Sequence, residues 1–326
     1  MNGDLVLDVR DLHTHFFLRR GVVKAVDGVS FSLRRGEVLG LVGESGCGKS
    51  VTALSLLRLL PKPAARTVKG EIVLDGEDIL PKSDREMRQI RGRKIAMILQ
   101  DPQTSLNPVF TVGDQIREAL AKYFQGPPGS IMARAIDVLR RVKVAAPEQR
   151  IHQYPHQMSG GMKQRVVGAI AISCEPQVMI ADEPTTSLDV TIQLQYLRLL
   201  KELQEATDMA LLFITHDFGV VAKMCDRVAV MYAGRIVESG TVRQVFDKPA
   251  HPYTQALIAS VPRMKAQVGR LHTIEGQPPE FSNLPPGCRF APRCALADER
   301  CHATYPAQFT VGEGHTADCW RLEETA

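Results

Sequence analysis

Val38-Leu39-Gly40-Leu41-Val42-Gly43-Glu44-Ser45-Gly46-Cys47-Gly48-Lys49-Ser50 is the stretch on which the fold turns. Gly36-Glu37 reads as a turn, and the apolar run 38–42 after it suits a strand buried on both faces. Residues 43–50 then fit G-x-x-x-x-G-K-[ST], and Ser50 to Leu60 predicts a helix stopped by Pro61. Strand, glycine loop and helix open an α/β unit. Glycines let backbone N–H groups turn inward around phosphate oxygens, and the helix N-terminus adds the positive end of its dipole. Lys49 is placed to reach the β- and γ-phosphates of a nucleotide, and the Ser50 hydroxyl to ligate Mg²⁺. The cradle expected to hold ATP is therefore Gly43, Ser45, Gly46, Cys47, Gly48, Lys49, Ser50 and Val51.

Working outward, Val178-Met179-Ile180-Ala181-Asp182-Glu183 is an apolar strand that ends in two carboxylates. Beside a phosphate loop, Asp182 would face Mg²⁺ and Glu183 the attacking water, which argues for hydrolysis of the nucleotide rather than binding alone. Other strands are predicted at Leu5–Val9, Ala25–Leu33, 72–74, 95–99, Ala210–Thr215, Val228–Met231 and Arg235–Glu238. Helical patterns run from about Thr111 to Ala145, broken near Gly126-Pro127-Pro128-Gly129, from Ser159 towards Pro176, and from Thr191 to Ala206.

Met158-Ser159-Gly160-Gly161-Met162-Lys163-Gln164-Arg165 opens a predicted helix, a second anion-binding end. Its position about twenty residues before Asp182 resembles the signature motif of ABC ATPases. Gln100 after a buried strand resembles the Q-loop, Ser187-Leu188-Asp189 the D-loop, and His216 the switch histidine. Phe16 stands where that family sets an aromatic against adenine, with Phe17 and His15 as neighbouring candidates. The resemblance implies a P-loop NTPase cassette of α/β class, with an antiparallel β subdomain and a helical subdomain at about 101–173. It implies head-to-tail pairing in which each ATP lies between one phosphate loop and the other cassette's Ser159, Gly160 and Gly161. Lys49, Gln100, Glu183 and His216 become catalytic, Asp189 joins the nucleotide site, and Ser50, Gln100 and Asp182 hold Mg²⁺. Met162 departs from the usual Gln of the signature, and Met158 from a common Leu.

That departure is shared by the dipeptide and oligopeptide importer ATPases, which the chain also resembles in residues 100–108 (Gln-Asp-Pro-Gln-Thr-Ser-Leu-Asn-Pro), Tyr154-Pro155-His156-Gln157, 181–186 and His251-Pro252-Tyr253-Thr254. The ATPase domain is expected over 1–260. A small C-terminal domain, 261–326, opens on a proline-bearing linker or extended arm, and the cysteine-rich tail follows within it. It carries Cys288, Cys294, Cys301 and Cys319 in the spacing C-x5-C-x6-C-x17-C. A structural zinc site usually includes a tight C-x2-4-C pair, absent here. Longer loops suit a [4Fe–4S] cluster, towards which the resemblance also points, with zinc and free or disulfide-linked thiols as alternatives. Trp320, His302 and His315 are taken as bystanders.

Composition excludes little but is consistent. The 326 residues are 44% hydrophobic and 23% charged, enough for a sizeable core. A net charge of +4 with no basic stripe gives no ground for nucleic acid as a partner. No run of about 18 apolar residues appears, so a membrane role must come through other subunits. The expected partners are a sister ATPase (a heterodimer), two integral membrane permease subunits and an extracytoplasmic solute-binding protein, with the chain peripheral on the cytoplasmic face of the inner membrane. The alternatives are the same motor serving nickel or another small solute, and a soluble ABC ATPase outside transport.

Overall fold

The computed structural model describes residues 5–123, 126–127, 129–186, 188–261 and 273–323. Pro128 of the predicted helix break, Ser187 of the predicted D-loop and residues 262–272 of the predicted linker lie outside them. The chain forms two compact units: Met1–Val6, Leu33–Glu37 and Pro81–Phe213 make the first, and Leu7–Ser32, Val38–Leu80 and Ile214–Ala326 the second.

In the first unit the strands Ile95–Ile98 and Val178–Asp182 pair in parallel, from Ile95 opposite Val178 to Ile98 opposite Ala181. Ala210–Thr215 lies on the other side of Val178–Asp182. Val178–Asp182 and Ala210–Thr215 are buried along their whole length, as their unbroken apolar sequences require. Three helices pack together beside this sheet: Val112–Ala121, Ser130–Arg141 and Gly160–Ile172. Their shared core is Ile116, Leu120, Ala135, Val138, Leu139, Val166 and Ala169. The break in the predicted 111–145 helix falls between Ala121 and Ser130. A helix at Asp84–Ile90 was not expected from its polar sequence; Ser83 and Glu86 close a capping box at its start.

The second unit holds a sheet ordered Gly21–Arg34, Leu5–Leu18, Ala65–Leu74, Glu77–Asp78, in which Leu5–Leu18 runs antiparallel to Ala65–Leu74. Both long strands extend well past their predicted limits. It also holds the phosphate-loop strand Val38–Val42, buried throughout and parallel to Arg227–Tyr232. Arg227–Tyr232 turns back through Ala233-Gly234 into Arg235–Thr241. Both turn residues have positive φ (43° and 87°), the two-residue hairpin geometry whose twist matches the strands. Next comes His315–Ala317, pairing Glu238 with Ala317 and Ser239 with Thr316, and then Phe309–Gly312. The far C-terminal residues thus add strands to the sheet that carries the phosphate loop. The helix after the loop is shorter than predicted: it spans Lys49–Leu56, and the chain leaves it through Arg58 in the left-handed region.

Candidate functional site

The loop 43–50 is shaped by residues that only glycine satisfies. Gly48 has φ 113°, and a Cβ there would sit 2.5 Å from the Ala25 carbonyl oxygen and 2.7 Å from Met231 Cε. Gly48 is also the N-cap of Lys49–Leu56 and offers no side chain, so the first-turn amides are left for a ligand. Ser45, Gly46 and Ser50 are exposed, Gly43, Cys47 and Gly48 buried, and Val51 partly buried. Lys49 is buried; its ammonium donates to the carbonyl oxygens of Gly43 (2.8 Å) and Glu44 (2.9 Å). Phe16, in the strand Leu5–Leu18, is partly buried, whereas Phe17 is exposed and lies under the Arg66 guanidinium at 4.4 Å. His216 is exposed just past the strand Ala210–Thr215.

In the first unit Asp182 ends its strand buried, and Glu183 follows with φ 45°, a conformation that non-glycine residues rarely hold without a functional or packing reason. The Glu183 carboxylate accepts hydrogen bonds from Gln100 Nε2 (3.2 Å) and Thr186 Oγ1 (3.1 Å). Two predicted residues 83 positions apart are thereby brought together. Ser159 caps the helix Gly160–Ile172, accepting from Met162 N at 3.4 Å. A Cβ on Gly160 would meet nothing within 4 Å, so only an incoming group could crowd it, whereas Gly161 lies against Ile192. Asp189 is engaged as the N-cap of Val190–Thr207, accepting from Thr191 N and Ile192 N at 3.1 and 3.0 Å.

Cys288, Cys294, Cys301 and Cys319 line one small cavity with Leu296 and Trp320, and none of the seven cysteines is in a disulfide. Burial pushes the Cys288 thiol up to about 11 and raises Cys301 and Cys319 as well. No three of the four sulfurs lie mutually within 4.8 Å, wider than one tetrahedral ion with Zn–S near 2.3 Å would need. The thiols share a cavity, but they do not form a closed ligand set. Among the described residues, the only mixed donor group within that distance is His13, His15 and Asp27. There both Asp27 oxygens are already engaged, Oδ1 by His13 and Oδ2 by Arg235 and Arg289, so the group is an ion-pair network.

Residues 26–186 match the ABC transporter family model, and residues 237–301 match the model of the oligopeptide/dipeptide transporter C-terminal region. A probable peptide ABC transporter ATP-binding protein of Sinorhizobium fredii is 52% identical over 323 residues, 99% of this chain and 96% of the relative. The dipeptide transport ATP-binding protein DppD of Bacillus subtilis is 49% identical over 321 residues, 98% and 96% of the two chains. The chain is an ABC ATP-binding protein of the peptide-importer type. Among solved structures, the dimeric MJ0796 cassette in a post-hydrolysis state with ADP and phosphate matches with a TM-score of 0.65 at 25% identity, over 73% of this chain and 99% of that one.

For an ABC ATPase, the motifs read from sequence fall on loop 43–50, on the ends of the strands that precede Gln100 and His216, and on the cap of the signature helix. Sequence reading missed what surrounds the phosphate loop. Glu44, a variable position of the motif, is gripped by Tyr253 and Arg293 from the C-terminal part of the chain. The signals available were the string His251-Pro252-Tyr253-Thr254 and the arginines at 289 and 293 between two of the cysteines. His315, taken as a bystander, is buried and bonds Glu238 through Nε2 at 2.8 Å. Trp320, also taken as a bystander, lines the cysteine cavity.

Proposed function

We propose that this ATPase energises the import of di- or oligopeptides, working with a sister ATPase, two membrane permease subunits and an extracytoplasmic solute-binding protein. Near-full-length alignment with proteins named as peptide transport ATP-binding proteins carries this reading, and the shaped phosphate loop supports it. The alternatives of nickel or another small solute draw no comparable support. In the described residues no helix is long and apolar enough to cross a membrane, which suits a peripheral subunit attached through permeases on the cytoplasmic face.

In this reading Lys49 and the loop amides hold the β- and γ-phosphates of ATP, with Phe16 against the adenine. Glu183 orients and polarises the lytic water, Gln100 reports the state of Glu183 towards the permeases, and His216 contacts the γ-phosphate. Ser159, Gly160, Gly161 and Asp189 serve the nucleotide of the paired cassette. Ser50, Asp182 and Gln100 offer the hard oxygen donors that Mg²⁺ favours, and the ion, when bound, neutralises phosphate charge. The ATPase region ends near 260, and 261–326 forms a C-terminal module. Its four cysteines would hold a [4Fe–4S] cluster, which seats thiolates farther apart than a single zinc ion does and suits an apolar cavity lined by all four. The cluster would staple a segment with a thin core.

The test is ATP turnover of the chain reconstituted with its permeases and binding protein. Peptides are expected to stimulate turnover, and Glu183→Gln to abolish it while ATP is still retained. Stimulation by nickel and not by peptides would remove the substrate assignment. Unimpaired hydrolysis in Glu183→Gln would remove the role given to that carboxylate. Iron and acid-labile sulfide absent after anaerobic purification would remove the cluster alone.

A further inference from the structure

Glu44 is the second residue of the phosphate loop, and three groups hold it. Its carboxylate takes a two-point fork from Arg293, Nη1 to Oε2 at 2.7 Å and Nη2 to Oε1 at 3.0 Å. Its N–H donates to the Tyr253 hydroxyl at 2.9 Å, and its carbonyl oxygen accepts from Lys49 at 2.9 Å. The Arg293 side chain is 4% exposed, so this is not one of the solvated surface pairs that contribute little. Its remaining donors are also placed: Nε bonds the Glu275 carbonyl (3.0 Å), Nη2 the Ile274 carbonyl (3.3 Å) and Nη1 the Tyr232 hydroxyl (3.2 Å). The guanidinium is thereby fixed in plane and direction, which a flexible lysine ammonium could not reproduce.

What places Arg293 is the cysteine turn. Arg293 ends the short helix Ala291–Arg293 between Cys288 and Cys294. Within that turn Ala291 N bonds the Cys288 carbonyl (3.0 Å) and Cys294 N the Ala291 carbonyl (3.2 Å), while Cys288 N bonds the Cys301 carbonyl (2.7 Å). Phe290, in the same turn, packs edge-on against Tyr232 and tilted against Tyr253, with ring centroids 5.4 Å away in both cases. Tyr253 is held in turn by the helix Pro252–Ala259, whose N-cap His251 accepts from Tyr253 N at 3.0 Å. A shift of the cysteine turn therefore moves the Glu44 backbone, and with it one of the two carbonyls on which Lys49 rests.

We infer that Arg293 and Tyr253 are positioning residues for the phosphate loop, and that through them the cysteine turn sets the affinity of the loop for nucleotide. This rests on the reading of residues 43–50 as the ATP site. By reciprocity, nucleotide on the loop must also steady the turn 288–294.

The test titrates a fluorescent ATP analogue against the full-length protein and its Arg293→Ala, Arg293→Lys, Glu44→Gln and Arg293→Ala/Glu44→Gln variants. Hydrogen exchange of residues 288–294 is followed with and without the analogue. Arg293→Ala and Glu44→Gln are each expected to weaken binding about tenfold, and the double variant by no more than either alone. Arg293→Lys is expected to recover only part of the loss. The wild type should show slower exchange in 288–294 when nucleotide is bound, and Arg293→Ala should lose that response. Unchanged affinity in Arg293→Ala, losses that add in the double variant, or exchange in 288–294 indifferent to nucleotide in the wild type would each overturn the inference. If Arg293→Ala does not fold, Glu44→Gln and Arg293→Lys decide by the same criteria, binding equal to wild type in both being the refuting result. A wild type that does not bind the analogue would instead sink the ATP-site reading itself.

Discussion

Replacing Arg289 tests how the C-terminal segment is fastened to the strand Gly21–Arg34. Arg289 and Asp27 are both nearly fully buried, and their side chains form an ion pair; Arg235 (3.2 Å) and His13 (3.0 Å) complete the ring around the carboxylate. Arg289 also donates to the Ala233 carbonyl in the hairpin turn. Burial alone would push the Asp27 carboxyl up, but the charges and hydrogen bonds of Arg289 and Arg235 outweigh it and hold it at about 2. Carried down from 3.8, the carboxyl contributes on the order of 2 kcal/mol at neutral pH. Because the folded value lies below the unfolded one, that contribution is complete above about pH 4 and fades as pH falls through 2. Arg289→Ala should cost about 3 kcal/mol at pH 7, the low end for a broken buried pair, since Arg235 and His13 remain. Urea unfolding of the full chain, repeated from pH 7 to pH 2, measures this. The gap between wild type and variant should narrow below about pH 3, and Asp27→Asn/Arg289→Met should recover part of the loss. A variant within about 0.5 kcal/mol of wild type at pH 7, or a gap constant across the whole range, refutes the reasoning.

Gly48→Ala places a Cβ against the Ala25 carbonyl at a φ of 113°, and should abolish binding of a fluorescent ATP analogue while far-ultraviolet circular dichroism stays near wild type. Glu238, fully buried, accepts from Ala250 N, His251 N and His315 Nε2, each at 2.8 Å. Glu238→Ala should therefore lower stability by about 3–9 kcal/mol in urea unfolding, at ~1–3 kcal/mol for each stranded donor. Asp189→Ala removes the cap of Val190–Thr207 and should cost about 1 kcal/mol in the same assay, most of it returned by Asp189→Asn.

What the sequence made legible and what it left hidden divide along the range of the physics involved. The phosphate loop could be read because its chemistry is contiguous: the glycines, Lys49 and the following helix start answer to φ angles and amide directions within a few residues. Val178–Asp182 and Ala210–Thr215 could be read because strands covered on both faces are apolar without interruption. Asp84–Ile90 escaped because its polar face hides Met87 and Ile90, and only the Ser83–Glu86 box marks its start. The tail strand His315–Ala317 escaped because three residues carry no period; its place is set by pairing to Glu238 and Ser239 and by the buried His315 on Glu238.

The grip on Glu44 belongs to the hidden class for a further reason. In the motif G-x-x-x-x-G-K-[ST] the second position is free, because nothing in phosphate binding fixes its side chain. In this molecule its partner stands 249 residues downstream, in a turn whose cysteines draw attention to themselves and away from the arginine between them. Yet the burial of Arg293 makes the pairing a constraint on both ends. A guanidinium 4% exposed and without a carboxylate is far costlier than one with it, so a neutral residue at 44 is compatible with this turn only if 293 is neutral as well. Glu44→Gln in a chain that keeps Arg293 should therefore be more damaging than Glu44→Gln in a chain carrying Arg293→Met, and the sign of that difference separates a true pair from two independent surface charges.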